Sequence, residues 1–531
     1  MGRWRSLEIK FMSSLIMIRN KIPRRIKTTF FLCFAVGLIT HMFMLTNKLP
    51  NHDDIDQTFN TLDFMISSGR WFSPVPAAIS STFSMPWVNG LLCIVYISAA
   101  SCFVVSLLKI NQTVYCALIG TVMIAFPAIS ATLLFMQCAD AYCFALMLAC
   151  FAAFLAGTYR PLGYIYAVVP LTLSLGIYQA YFGVTSGLMI MVLMIEVLKN
   201  ETPFKRLLLK GVQFAVTLGA SLVMYLAMVK ITTMNRGLTS YQGINRMGRI
   251  SLSELPGSVV KAYKSIFEYF LSNKGWAHYP FMPAVFWVSF LSCASLLVMW
   301  CIKKNIHKEP IKMILLISLI ALFPLGCNII YVITPSRTII HDLMIYGMVL
   351  VPVFLVTVAD QFTIHNSGFT IKKRIQIAQN ISCWIITLAI ALSGFNYFIR
   401  SNQVYFKQFF TYEKSYAQSV SLINRIRQVD GYTSETEIVF VGWLNYSNGT
   451  PELETLIDTT MTEIYGNHYY PDFLKRYLNF TQPVEWMQSG VIEDSEISAI
   501  VEGMPEYPDD GSIALIEDKI YVKFNYNPER E

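Results

Sequence analysis

Long apolar runs broken by short polar connections fill the first 400 residues. A helix needs roughly 17–25 apolar residues to cross a bilayer. By that length the chain divides into eleven segments: 29–46, 87–108, 113–134, 140–158, 162–179, 181–198, 209–230, 280–302, 312–333, 339–359 and 379–398. The pattern predicts an all-α polytopic membrane protein of about eleven transmembrane helices. After residue 400 the periodicity changes. Residues 404–428 suit a helix leaving the membrane, and 469–479 and 482–488 read as short helices. Residues 437–444 and 513–524 read as strands, the second a hairpin turning at Asp518-Lys519. These elements predict a small C-terminal α/β domain over 401–531, long enough for its own core.

Charge divides the chain at the same place. Residues 401–531 carry 9 Lys+Arg and 21 Asp+Glu, a net of −12, whereas 1–400 carry 32 and 13, a net of +19. With 54% hydrophobic residues and an overall charge of +7, the basic excess is read as the cytoplasmic bias of a membrane protein and not as a nucleic-acid surface. Residues 1–28, Lys109, Arg160, Lys199, Lys205, Arg206, Lys303, Lys304, Lys308 and Lys372 to Arg374 fall on one side of the expected spans. That side is assigned to the cytoplasm. The other side receives the loop 47–86, the loop 231–279 and the C-terminal domain, and is external. The basic N-terminus holds either a short interfacial helix or an unstructured arm. The eleven cysteines lie mostly in apolar runs and read as small buried hydrophobes.

The candidate chemistry gathers in the first external loop. Asp53, Asp54, Asp56 and Asp63 are four of the 13 acids in residues 1–400, and they fall within 11 positions. An ionised carboxylate at the mouth of a membrane cleft can take the proton of an attacking hydroxyl. A plain helix N-cap by Asp54 or Asp56, ahead of an amphipathic helix at 56–67, explains one of the four. Residues 73–86, with three prolines, are expected to be irregular. Arg70 offers a guanidinium fork to a phosphate, or anchors the interface together with Trp71. Arg337 has the same phosphate reading, assisted by His341, or pairs structurally with Asp342. Asp56, Trp71, Asp140, Tyr178 and Gln179 are candidates for the substrate pocket, with belt aromatics the alternative for the tyrosines. The basic loop 231–279 could hold an anionic head group or remain a solvated face. Trp443, Tyr446, Tyr465, Tyr469 and Tyr470 could meet sugar rings or pack within the tail. No P-loop, GxGxxG after a strand, HExxH or GxSxG is present. No metal-ligand motif stands out, and the need for a divalent metal is left open.

The aspartate pair after the first span, Gly69-Arg70-Trp71 at the end of an amphipathic segment, and 175–180 (LGIYQA) resemble the Gtr-type serotype-converting O-antigen glucosyltransferases. These belong to the GT-C class, and the resemblance covers roughly 29–400. It implies a polyprenyl-phosphate-linked sugar donor, usually undecaprenyl-phosphate glucose, flipped to the periplasmic face of a bacterial inner membrane, an external polysaccharide acceptor and inversion at the anomeric carbon. Carried over, Asp53 or Asp54 becomes the general base, and Arg70 and Arg337 become donor-phosphate ligands. The competing readings are a transporter or flippase of a lipid-linked sugar, for which Glu196 is the acid to examine, and a membrane scaffold.

Overall fold

The computed structural model describes residues 22–57, 63–81, 83–159, 161–235, 237–239, 253–272, 274–334, 339–364, 373–443, 453, 455–457, 470–487, 492 and 494–525. The basic arm 1–21, Arg236, Arg246 and Arg249 of loop 231–279, Arg160 and Arg337 lie outside them.

The bundle is built from α1 (Arg24–Thr46), α5 (Pro86–Leu107), α6 (Thr113–Ala125), α7 (Pro127–Leu133), α8 (Met136–Thr158), α9 (Gly163–Ile177), α10 (Phe182–Lys199) and α11 (Phe204–Thr232). It continues through α12 (Leu255–Leu271), α13 (Met282–Lys303), α14 (Pro310–Cys327), α15 (Ile330–Ile333), α16 (Leu350–Ile364) and α17 (Lys373–Arg427). The first loop supplies the short helices α2 (His52–Gln57), α3 (Asp63–Ser67) and α4 (Pro74–Ala77). Among the described residues, nine helices are long and apolar enough to cross a membrane, and the bent pair α6–α7 makes a tenth. The apolar segment 162–179 forms only the 15-residue α9.

Three expected spans are interrupted, each for a local reason. Pro127 offers no N–H and forces Phe126 out of the helical region (φ −55°, ψ 132°), so α6 and α7 meet at 41°. The segment 312–333 breaks after α14, where Asn328 turns its side-chain amide to the carbonyl of Ala262 (3.1 Å). The segment 339–359 begins as a 3₁₀ helix, Asp342–Val349, before α16. This irregular backbone is packed inside protein, as membrane burial demands. The carbonyl of Cys327 lies so close to Gly183 and Gly347 that an added Cβ would stand 2.5 and 2.1 Å from it.

α17 is one continuous 55-residue helix, about 80 Å long. No proline or glycine interrupts 395–427, so the helix expected at 404–428 is the extension of the last apolar segment. Its far end, Leu422, Ile423 and Ile426, enters the core of the C-terminal domain. That domain holds a four-stranded sheet of order β2-β1-β4-β3, from β1 (Glu437–Val441), β2 (Val484–Met487), β3 (Ile513–Ile516) and β4 (Lys519–Lys523). β1 runs parallel to β2 and β4, and β3–β4 is an antiparallel hairpin. Helices α18 (Tyr470–Leu478) and α19 (Ser495–Gly503) complete it. The helix expected at 482–488 is instead strand β2. Pairing Ile438 with Val484 lets Trp486 pack on Phe440 (5.6 Å), and that tertiary contact overrides local preference. Tyr470 is fully buried and bonded to Ser419 (2.9 Å), a packing role. Tyr446, Tyr465 and Tyr469 lie outside the described residues.

Gly347→Ala is expected to lower thermal stability by about 1–3 kcal/mol, because the neighbouring backbone carbonyl cannot yield as a side chain would. Melting of the purified protein in nanodiscs measures it, and an unchanged midpoint would show the contact to be looser than drawn.

Candidate functional site

Of the helix expected at 56–67, residues 58–62 lie outside the described residues, and α3 covers Asp63–Ser67. Helix α2 starts earlier and takes Asp53 and Asp54 into its first turn, where a carboxylate suits the helix dipole. The cap is neither aspartate. Buried Asn51 accepts the backbone N–H of Asp54 through its side chain (2.9 Å). The expected irregular stretch 73–86 holds α4, begun at Pro74, and a 3₁₀ turn, Ala78–Ser80.

The two adjacent aspartates occupy unlike surroundings. The Asp54 side chain is 1% exposed, paired with Lys48, and accepts the backbone N–H of Gln137 at the start of α8 (3.2 Å). Lys48 also donates to Ser84 (2.7 Å). Asp54 thus ties the end of α1, the second half of the loop and α8 together. The Asp53 side chain is 33% exposed, with His52 Nε2 at 3.4 Å. Asp53 lies within electrostatic reach of Arg70 and Cys138.

Arg70 follows a turn that depends on Gly69 (φ +76°), whose added Cβ would stand 2.9 Å from the Tyr225 hydroxyl. Gln179 braces this turn, donating to the Gly69 carbonyl (3.4 Å) and to the Tyr225 hydroxyl (2.8 Å). The guanidinium donates to the Tyr142 hydroxyl (2.7 Å) and lies 5.6 and 5.5 Å from the ring centres of Tyr142 and Tyr178. Those rings stack at 4.2 Å. Burial works against the charge, but Tyr142, Tyr178, Cys138 and Asp53 outweigh it and hold Arg70 above its ordinary pKa. Trp71 lies against Gly176, where a Cβ would meet its ring at 2.6 Å, and the N–H of Phe72 bonds to the Gly176 carbonyl (2.8 Å). Arg70 Nε, Trp71 Nε1 and the Tyr178 hydroxyl are buried and have no hydrogen-bond partner among the described residues. Buried donors of this kind call for an occupant.

The structure therefore brings Asp53, Arg70, Trp71, Tyr178 and Gln179 together. Asp140 is turned elsewhere. It accepts from Asn89 (3.4 Å) and the backbone N–H of Ala141 (2.9 Å), bonding α8 to α5. His341 precedes the 3₁₀ helix beside Asp342, which accepts the indole N–H of Trp276 (2.8 Å). Arg337 and the side chain of Asp56 lie outside the described residues. Lys264 and Lys274, from the basic loop, pair with Glu268 (4.0 and 2.9 Å). Among the described residues no three His, Cys, Asp or Glu side chains gather as a metal-ligand set.

Burial alone does not mark the site. Asp360 is fully buried, yet it receives the backbone N–H groups of Asn111 (3.1 Å) and Gln112 (3.0 Å) at the start of α6. The sequence reading missed Lys48, Tyr142 and Tyr225. Lys48, six positions before Asp54 at the end of an apolar run, was a readable signal. The two tyrosines lie within apolar runs and offered none.

The C-terminal domain grips the same loop. Ile55, next to Asp54, is fully buried in the core of that domain with Leu422, Phe440 and Phe473. Arg476 of α18 donates to the Ile55 carbonyl, and Gln408 of α17 donates to the Pro50 carbonyl (2.6 Å).

Asp54→Ala is expected to cost about 2–3 kcal/mol, below the usual loss for breaking a buried pair because Lys48 is one-third exposed. Melting curves of this variant and of Lys48→Met would measure it. A coupling energy near zero in their double-mutant cycle would remove the structural role.

No curated protein and no solved structure matches the chain. A family model described as Glucosyl transferase GtrII matches residues 42–356, more than half of the sequence and the whole of the site just described. The chain belongs to the GtrII glucosyl transferase family.

Proposed function

We propose that this glycosyltransferase moves glucose from a polyprenyl-phosphate donor to a surface polysaccharide such as O-antigen, at the periplasmic face of a bacterial inner membrane, with inversion. The supporting observation is a partly exposed carboxylate, Asp53, within electrostatic reach of a buried guanidinium that keeps an unused donor. The lysine and arginine distribution supports a cytoplasmic N-terminus. The C-terminal domain contacts the aspartate loop, so both lie at one end of the bundle.

In this reading Asp53 is the general base and Asp54 is a positioning residue. The acceptor hydroxyl gives its proton to Asp53 as its oxygen bonds to the anomeric carbon of glucose. The bond from that carbon to the phosphate oxygen breaks on the opposite face, which inverts the centre. Polyprenyl phosphate leaves with the bonding electrons. Arg70, with the indole N–H of Trp71 and the hydroxyl of Tyr178, faces the charge that grows on the leaving oxygen. Arg337 and His341 remain candidates for the same phosphate.

Export of a lipid-linked sugar without transfer is the competing activity. Glu196, the acid examined for that role, is bonded to Lys210 (2.6 Å) between α10 and α11.

Asp53→Asn is expected to lower transfer by about 10²–10⁴-fold with an unchanged melting midpoint. Purified variants would be assayed with polyprenyl-phosphate glucose and O-polysaccharide. Full turnover in Asp53→Asn would sink the base assignment. Lipid movement without any sugar–polysaccharide product from the wild type would sink the transferase reading.

A further inference from the structure

An apolar groove of about 460 Å³ lies between α11 and α14. Its floor is the buried face of α10, with Ile190 and Leu193. Its lips are Leu208 and Val212 of α11 and Leu315 and Leu322 of α14. Leu208, Val212 and Leu322 are exposed, so the groove opens outward, on helices long and apolar enough to cross a membrane. It follows α11 from Leu207 to Leu218, about 16 Å. That is close to half of the ~30 Å hydrocarbon layer, the depth of one leaflet.

The two ends of the groove differ. At the inner end stands Ser186, the sole polar side chain of the lining among the described residues, and its hydroxyl donates to the Gly326 carbonyl (2.6 Å). A lipid head group would find no free donor there. The other end is basic. Residues 196–210 and 303–312 hold eight Lys and Arg against three Glu, so the surface there is positive. Each glutamate is already held by a lysine: Glu196 by Lys210 (2.6 Å), Glu201 by Lys304 (3.7 Å) and Glu309 by Lys312 (3.0 Å). Lys205 and Arg206 are exposed and have no acidic partner among the described residues. Lys205 precedes Leu208 and Val212 by three and seven positions, so it shares their face of α11. Lys312 has the same relation to Leu315 and Leu319 on α14. An apolar slot one leaflet deep, with cations at its open end, matches the shape and charge of an anionic phospholipid.

We propose that this groove holds an acyl chain of an anionic phospholipid, with the lipid phosphate at Lys205, beside Arg206 and Lys312. The lysine and arginine distribution supports the cytoplasmic leaflet as its source. This lipid is not the sugar donor. Tyr225, whose hydroxyl meets the Gly69 turn, lies about 30 Å further along α11 than Lys205. A phosphate held at Lys205 cannot reach Arg70. The proposal therefore stands apart from the transferase reading. A lipid that fills the gap between α11 and α14 stabilises the folded chain by mass action.

The test uses the full chain, purified in detergent and stripped of lipid. It is titrated with phosphatidylglycerol, phosphatidylcholine and undecaprenyl phosphate, and binding is read by native mass spectrometry and by melting. Phosphatidylglycerol should bind about tenfold tighter than phosphatidylcholine and raise the midpoint. Lys205→Glu should weaken phosphatidylglycerol by about tenfold or more. Its lipid-free midpoint should not change, because the side chain is exposed and unpaired. Gly211→Leu tests the groove itself. A Cβ at Gly211 meets only Leu193 Cδ1, at 3.7 Å, so the new side chain enters open space. It should lower phosphatidylglycerol affinity and leave the fold intact. Arg70→Ala should leave this binding unchanged, which separates the site from the donor site proposed above. Equal affinity for the two phospholipids overturns the proposal, and so does full phosphatidylglycerol affinity in Lys205→Glu or in Gly211→Leu. Undecaprenyl phosphate that displaces phosphatidylglycerol, resists Lys205→Glu and is lost in Arg70→Ala would give the groove to the donor and overturn it. A dimer that Gly211→Leu dissociates would give the groove to a second copy of the chain and overturn it as well.

Discussion

The aspartate loop is held between two hydrophobic cores, and the rest of the site depends on that grip. Ile55 is buried in the core of the C-terminal domain. Its neighbour Asp54 is tied to Lys48 and to the first turn of α8 in the bundle. Burying one isoleucine is worth about 1.5–3 kcal/mol, enough to order a six-residue helix that could not stand alone. Three consecutive residues, Asp53, Asp54 and Ile55, thus point to three environments. One is partly exposed beside His52, one meets the bundle and one the core of the C-terminal domain.

This arrangement explains why the tail is attached to the bundle by a helix instead of a linker. α17 crosses the apolar layer, passes the loop at Gln408 and enters the sheet's core at Leu422. A rigid rod of this length fixes the distance between membrane and domain, and so fixes where α18 presents Arg476 to the loop. The acidic domain therefore shares its core with the aspartate loop and is more than an appendage. The same helix carries Asn396, Arg400 and Gln403, which hold Ala277 to Tyr279.

The irregular helices serve the same end. The bend at Pro127 and the 3₁₀ segment at Asp342–Val349 bring Phe126 and Tyr346 to within 5.8 Å. Broken helices expose backbone, which must then be satisfied inside protein. The Tyr346 hydroxyl does so at the Met123 carbonyl (2.8 Å).

Apolar length and charge by themselves determined much of this protein. They marked the helical bundle, the change of character after residue 400, and the acid-rich first loop with Gly69-Arg70-Trp71. These are one-dimensional signals, because solvent sorts residues by hydropathy before any contact forms. Equal chemistry in unequal places was not readable. Asp53 and Asp54 are one letter repeated, and Asp140 was as eligible as either. The strand at Val484–Met487 and the true start of α2 were also hidden in the letters. Only the folded chain decided these, because a carboxylate's task is set by the groups around it. Lys48, Gln137, Tyr142 and Tyr225 reach the site from four separate stretches, and no spacing along the sequence records that meeting.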